Sequence, residues 1–150
     1  MLREVLLRID IAVAIDKNYL QHFYVLLESI NEYKSTFDFY MINVLHTNLE
    51  VSDIVKLQKL YSGVFNFSFY EINDFHDLYV NAHISIETYY RIIIPNILPF
   101  EIHKVLYLDC DLLINHNLAQ LWDNDIESFA VGAVFDYKAQ NRKVELNIPF

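Results

Sequence analysis

Apolar and polar positions along this chain switch between two periods, and each switch marks an element. Ile9 to Ile15 (IDIAVAI) is a short, mostly apolar run ending at Asp16-Lys17-Asn18, which predicts a buried strand and then a turn. Tyr19 to Tyr33 places Tyr19, Phe23, Leu26, Leu27 and Ile30 at helical spacing. Phe37 to Leu45 reads as a second strand. Asn48 to Tyr61 carries Val51, Ile54, Val55, Leu57 and Leu60, a second helix with Ser52 as candidate cap. Phe65, Phe67 and Phe69 alternate with Asn66, Ser68 and Tyr70, the strict period of two of a strand. Ser85 to Ile94 reads as a helix that stops at Pro95. Lys104 to Leu108 (KVLYL) and Phe129 to Phe135 read as further buried strands.

Strands alternating with helices in this way predict an α/β layer with a largely parallel sheet. No linker, repeat or Pro/Gly/Ser-rich boundary divides the chain, so residues 1–150 read as one domain. In open sheets of this kind ligands bind beyond the carboxyl ends of the strands. Two polar clusters fall there: Asp16-Lys17-Asn18-Tyr19 after the first strand, and Asp109-Cys110-Asp111 after KVLYL.

Composition narrows the function classes. With 54% hydrophobic and 21% charged residues the chain can build a core, which excludes intrinsic disorder. Eleven Lys and Arg against twenty Asp and Glu give a net charge of −9, which argues against electrostatic nucleic-acid binding. Runs free of Asp, Glu, Lys and Arg reach only eleven residues, as from Leu112 to Trp122, too short to span a bilayer. Arg3, Glu4, Arg8 and Asp10 interrupt any signal-peptide apolar region. A single cysteine, Cys110, excludes an internal disulfide and a cysteine-built zinc site. These features read as a cytoplasmic soluble protein, with peripheral contact to the inner face of the membrane left open. The two glycines, Gly63 and Gly132, cannot make a G-x-G-x-x-G fingerprint or a P-loop. A phosphorylated ligand would need another source of neutralisation.

Asp109 and Asp111 offer one. In an extended segment, residues two apart point to the same side, so both carboxylates can approach one point. Two hard oxygen ligands suit a divalent cation such as Mg²⁺ or Mn²⁺, with substrate phosphate oxygens completing the shell. The competing reading is a solvated turn at a strand end. A second D-x-D, Asp123-Asn124-Asp125, follows Leu121-Trp122 in a polar stretch and reads as a turn or helix cap. The six histidines, at 22, 46, 76, 83, 103 and 116, are spread without ligand spacing and read as surface or core-edge residues.

The segment from His83 to Ile126, HISIETYYRIIIPNILPFEIHKVLYLDCDLLINHNLAQLWDNDI, resembles the donor-binding core of glycosyltransferase family 8. That family includes bacterial lipopolysaccharide galactosyl- and glucosyltransferases and glycogenin. Ile9 to Leu20, IDIAVAIDKNYL, is similar to its opening strand and nucleotide loop. The resemblance implies a GT-A fold, a UDP-linked hexose donor, an Mn²⁺-type ion (or Mg²⁺), a saccharide or glycolipid acceptor such as lipopolysaccharide core, and transfer with retention. It implies further that Asp109 and Asp111 hold the ion. Asp16, Asn18 and Tyr19 would receive the nucleoside, with Ala14 and Ile84 lining its pocket. Arg91 would reach the donor phosphate or sugar, and Asp136 would lie near donor or acceptor sugar. Ordinary alternatives stand beside each role. Asp16 can make an Asx-turn with Tyr19 in the core, and Ala14 and Ile84 can be plain core residues. Arg91 can serve a helix C-terminus, and Asp136 can be a strand-end carboxylate in water.

The chain ends at Asn147-Ile148-Pro149-Phe150, before the family's N-x-G-V-L-L-x-N segment and its H-x-x-G-x-x-K-P-W segment, whose His is the third protein ligand to the metal. The expectation is therefore the N-terminal donor-binding portion of a truncated GT-A domain, self-associating through an open strand edge. Two other readings are a catalytically silent nucleotide-sugar-binding fragment and a haloacid-dehalogenase-type phosphatase. The second wants Thr or Val two residues after the second Asp, where Leu113 stands.

Overall fold

A computed structural model describes residues 7–73 and 89–133. Ile84, Thr88, Asp136, the first part of the expected Ser85–Ile94 helix and the last two residues of the expected Phe129–Phe135 strand lie outside the described residues. Four strands form one sheet: β1 (Arg8–Ile15), β2 (Phe39–His46), β3 (Asn66–Glu71) and β4 (Leu106–Tyr107). Between them run α1 (Leu20–Tyr33), α2 (Val51–Leu60) and α3 (Tyr90–Ile97), and α4 (Ala119–Trp122) follows β4. All the pairings are parallel and the order is β3-β2-β1-β4.

That order follows from how β1 is written. From Ile9 onward every residue of β1 is buried, as a strand covered on both faces requires. Ile9, Ile11, Val13 and Ile15 face one layer, where they meet Phe23, Leu26, Leu27 and Ile30 of α1 and Leu57 of α2. Ala12 and Ala14 point the other way and pack with Tyr90, Ile94 and Leu98. Their small side chains leave room for the Tyr90 ring. Asp10 is the one charge inside β1; Arg8 Nε and Nη2 hold its two oxygens at 2.8 Å each, a two-pronged bond that offsets its desolvation.

Four expectations are corrected here. α3 does not stop at Pro95 but runs on to Ile97. Proline removes one N–H, the donor to the Arg91 carbonyl, while Ile94 still accepts from Leu98 N–H at 3.0 Å and keeps the last turn closed. The cap of α2 is Glu50, not Ser52: Glu50 and Asp53 exchange side-chain-to-backbone bonds in a capping box, and Ser52 Oγ bonds Glu50. KVLYL contributes only Leu106 and Tyr107 to the sheet, plus a Leu108 N–H to Ala12 carbonyl bond of 3.0 Å. Residues 129–133 are not a strand; Phe129 closes a turn onto the Ile126 carbonyl. Apolar content makes a strand only where a neighbouring edge offers a ladder, and among the described residues this segment has none.

Two β-α-β steps carry the chain from β1 outward through β2 to β3. β4 then lands on the opposite side of β1. The strand order thus reverses between β1 and β4, the position at which open α/β sheets take their ligands. The two polar clusters sit on the loops leaving those strands. No described helix is long and apolar enough to cross a membrane.

Candidate functional site

β1 delivers Asp16 to the carboxyl edge, where the chain turns tightly through a 3-10 turn, Lys17–Tyr19. Asp16 caps that turn. Its Oδ1 accepts from Tyr19 N–H at 2.9 Å and its Oδ2 from the Asn18 amide at 3.0 Å. The turn is also tied sideways to the loop after β2. Lys17 N–H donates to Asn48 Oδ1 at 2.8 Å, and Lys17 Nζ pairs with Glu50. Asn48 and Glu50 carry no motif in the sequence, although their position just past the carboxyl end of β2 puts them on the same edge of the sheet as Asp16. Tyr19 is 46% exposed, its ring tilted against His22 at 5.2 Å, so it is not the core residue of the alternative reading. Ala14, by contrast, is buried in the cluster with Tyr90.

β4 delivers the second cluster. Register pairs Ile11 with Leu106 and Ala12 with Tyr107, so continuing it brings the Asp16 turn beside Asp109-Cys110-Asp111. That segment is turned, not extended, because Leu112 N–H bonds the Asp109 carbonyl at 3.3 Å. The simple period-of-two argument for bringing the two carboxylates together therefore does not apply. What gathers the charges is the turn itself, with Cys110 packed inward against the core and Asp109 and Asp111 exposed. The Cys110 thiol registers the crowding: burial, then the charges of Asp111, Asp109 and Asp16, push its pKa up to about 11. It is no nucleophile at neutral pH.

α3 brings Arg91 to the same place. Its Nη2 donates to Asp109 Oδ1 at 3.2 Å, and its guanidinium lies 4.9 Å from the centre of the Tyr107 ring. Burial pushes the Tyr107 hydroxyl up to about 12; Arg91 opposes the shift and Asp109 adds to it. Tyr107 thus stays neutral and serves as a ring under Arg91. In the sequence KVLYL reads only as a buried strand, so nothing there marks Tyr107.

Two exposed carboxylates on a turn beside a guanidinium suit a hard divalent ion that takes its other ligands from phosphate oxygens. Among the described residues no group of three or more His, Cys, Asp or Glu is placed to hold a metal. Asp123 and Asp125 lie elsewhere. Asp123 ends α4, and Asp125 Oδ1 accepts from Glu127 N–H at 2.9 Å, as a turn requires. Leu118 and Trp122, at the two ends of α4, pack against the core, and Lys104 lies 5.1 Å over the Trp122 ring and bonds the Trp122 and Asn124 carbonyls. That helix is an anchor for the chain after β4. Ile84 and Asp136, the remaining expected site residues, lie outside the described residues.

Comparison with known proteins agrees with this geometry. The family model described as "Glycosyl transferase family 8" matches residues 10–148. General stress protein A of Bacillus subtilis is 39% identical over 69 residues, which are 45% of this chain and 24% of that protein. Glycosyltransferase GlyF of Streptococcus pneumoniae is 28% identical, over 94% of this chain and 35% of its own length. Among solved structures, galactosyltransferase LgtC, in complex with donor and acceptor sugar analogues, superposes with a TM-score of 0.80 at 29% identity. The superposition covers 90% of this chain and 49% of LgtC. The sheet is thus of the GT-A type. The chain spans about half the length of LgtC and less of the two relatives.

Proposed function

The chain belongs to glycosyltransferase family 8, and from that premise we propose that residues 1–150 act as the nucleotide-sugar-binding domain of a metal-dependent, retaining hexosyltransferase. The donor is a UDP-linked hexose, galactose or glucose, and the acceptor a saccharide such as lipopolysaccharide core. A cytoplasmic location suits that donor. The observation that carries this reading is the meeting of the Asp16 turn, the Asp109-Cys110-Asp111 turn and Arg91 where the strand order reverses.

Each group has a task that its surroundings support. A carboxylate has about four lone-pair sites. Asp16 uses one on each oxygen for its own turn, which leaves acceptor capacity for the imide N–H of uracil. Asn18 can bond base or ribose, and the exposed face of Tyr19 can stack on the base. Ala14 and Ile84 would bound the pocket by backbone and apolar contact. Asp109 and Asp111 would hold the divalent cation. When bound, that ion supplies Lewis-acid stabilisation of the charge that builds on the departing diphosphate. The Arg91 fork matches phosphate or sugar oxygens, and Asp136 would stand near the sugar.

Titration calorimetry tests the reading. UDP should bind in the presence of Mn²⁺ and far more weakly without it, and Asp111→Asn should remove the Mn²⁺-dependent part. Donor hydrolysis measured on the same sample reports whether binding leads to turnover. A folded chain that binds neither UDP nor UDP-hexose with Mn²⁺ present refutes the proposal.

A further inference from the structure

Arg91 and the ion that Asp109 would hold compete for the same carboxylate. Arg91 Nη2 lies 3.2 Å from Asp109 Oδ1. Both side chains are about half exposed, at 46% and 52%, so the pair is solvated and exchangeable rather than locked in the core. Another contact of the guanidinium, 4.9 Å from the Tyr107 ring centre, is made to the ring and not to the carboxylate, so it survives if the ion pair opens. A guanidinium and a divalent ion on one carboxylate would stand a few ångströms apart with like charge. Both cannot keep Asp109 at full strength.

We infer that Arg91 is the resident counter-cation of Asp109: it occupies the carboxylate in the ion-free chain, yields it to a divalent cation, and turns its donors toward the donor diphosphate from its place over the Tyr107 ring. This rests on the proposed assignment of the ion to Asp109 and deepens it. The ion and the diphosphate then bind cooperatively, because the first frees the cation that the second needs. By linkage the coupling runs equally in both directions. Tyr107 is a positioning residue in this scheme, since it limits where the released guanidinium can go.

The test is Mn²⁺ titrated into the 150-residue chain without nucleotide, with free Mn²⁺ read by electron paramagnetic resonance. Arg91→Gln should tighten Mn²⁺ by up to about five-fold, the most that an exposed ion pair withholds. The same variant should weaken UDP measured with Mn²⁺ present. A second readout uses the wild-type chain: the Arg91 Nε–Hε resonance, assigned by its loss in Arg91→Lys, should shift on adding Mg²⁺ alone. Unchanged or weaker Mn²⁺ binding in Arg91→Gln, or an Arg91 resonance that Mg²⁺ does not move, overturns the exchange and leaves the metal site standing. Mn²⁺ binding that is absent, or that Asp109→Asn does not alter, overturns the metal assignment and the exchange with it.

Discussion

Replacing Tyr19 by alanine separates ligand binding from folding, because the structure gives the two effects different sizes. The ring is 46% exposed and touches His22 at 5.2 Å. The bond that fixes the local turn comes from the Tyr19 backbone N–H to Asp16, and alanine keeps it. Losing one exposed ring contact costs about 1 kcal/mol or less. In a chain of this size that lowers Tm by about 2–4 °C. Had Tyr19 been core, truncation would cost about 3–5 kcal/mol and most of the chain's stability. Loss of stacking on a uracil, by contrast, should cost about 1–3 kcal/mol of UDP affinity, or about 5- to 150-fold. The assay pairs a thermal melt without ligand with UDP calorimetry in Mn²⁺. A nearly unchanged melt with sharply weakened UDP is the expected result. A large drop in Tm with UDP affinity intact in the folded fraction would refute the placement of the base on Tyr19.

Three further outcomes follow from the same structure. With UDP at a hundred times its dissociation constant, the ligand should stabilise the wild-type fold by about 2.7 kcal/mol; Asp111→Asn should lose the Mn²⁺-dependent share of that gain in a melt while its ligand-free Tm stays put. Asn48→Ala removes the acceptor of the Lys17 N–H, so a urea melt should show a loss of about 0.5–1.5 kcal/mol, and calorimetry a weakened UDP site as the Asp16 turn loosens. His46 is 4% exposed with its Nδ1 unpartnered, and burial, partly opposed by Glu71, lowers its pKa below the ordinary 6.5. The unfolded chain then binds the extra proton first, so stability should fall as pH drops below about 6.5, and His46→Gln should flatten that slope in urea melts taken across the range.

What the sequence reveals and what it hides divide along physical lines. IDIAVAI announces a strand buried on both faces because burial is written in side-chain type, and the larger residues at Ile9, Ile11, Val13 and Ile15 even mark the face that α1 and α2 cover. The carboxyl-end location of Asp16 and of Asp109-Cys110-Asp111 follows from the element order alone. The state of each cluster does not. Whether Asp109 lies in a strand or a turn depends on one backbone bond from Leu112, and whether Tyr19 is core or surface depends on which way a three-residue turn faces. Pro95 misleads because its cost is local, one missing donor, whereas the packing of Tyr90 and Ile94 against Ala12 and Ala14 is a tertiary gain that no local pattern records. Tyr107 is hidden for the same reason. Its role comes from Arg91 on another element.

The scarcity of glycine ties these features together. Gly63, at φ +76°, completes the turn between α2 and β3, which is the amino-terminal end of the sheet and not its ligand edge. Gly132 lies well past β4, close to Ile126. The turn after β1 is therefore capped by the Asp16 side chain, and the turn after β4 is closed by the Leu112 N–H on the Asp109 carbonyl over an inward-packed Cys110. Such turns leave carboxylates at the carboxyl edge of the sheet and offer no nest of bare N–H groups to a phosphate. In a chain with a net charge of −9 an incoming diphosphate meets repulsion unless cations stand between it and those carboxylates. Arg91 stands there already, placed by α3 and by the Tyr107 ring. One guanidinium cannot balance both Asp109 and a diphosphate. On the proposed function a second cation, carried in with the donor, would close that deficit, and the same turns that exclude a glycine cradle would supply the carboxylates to hold it.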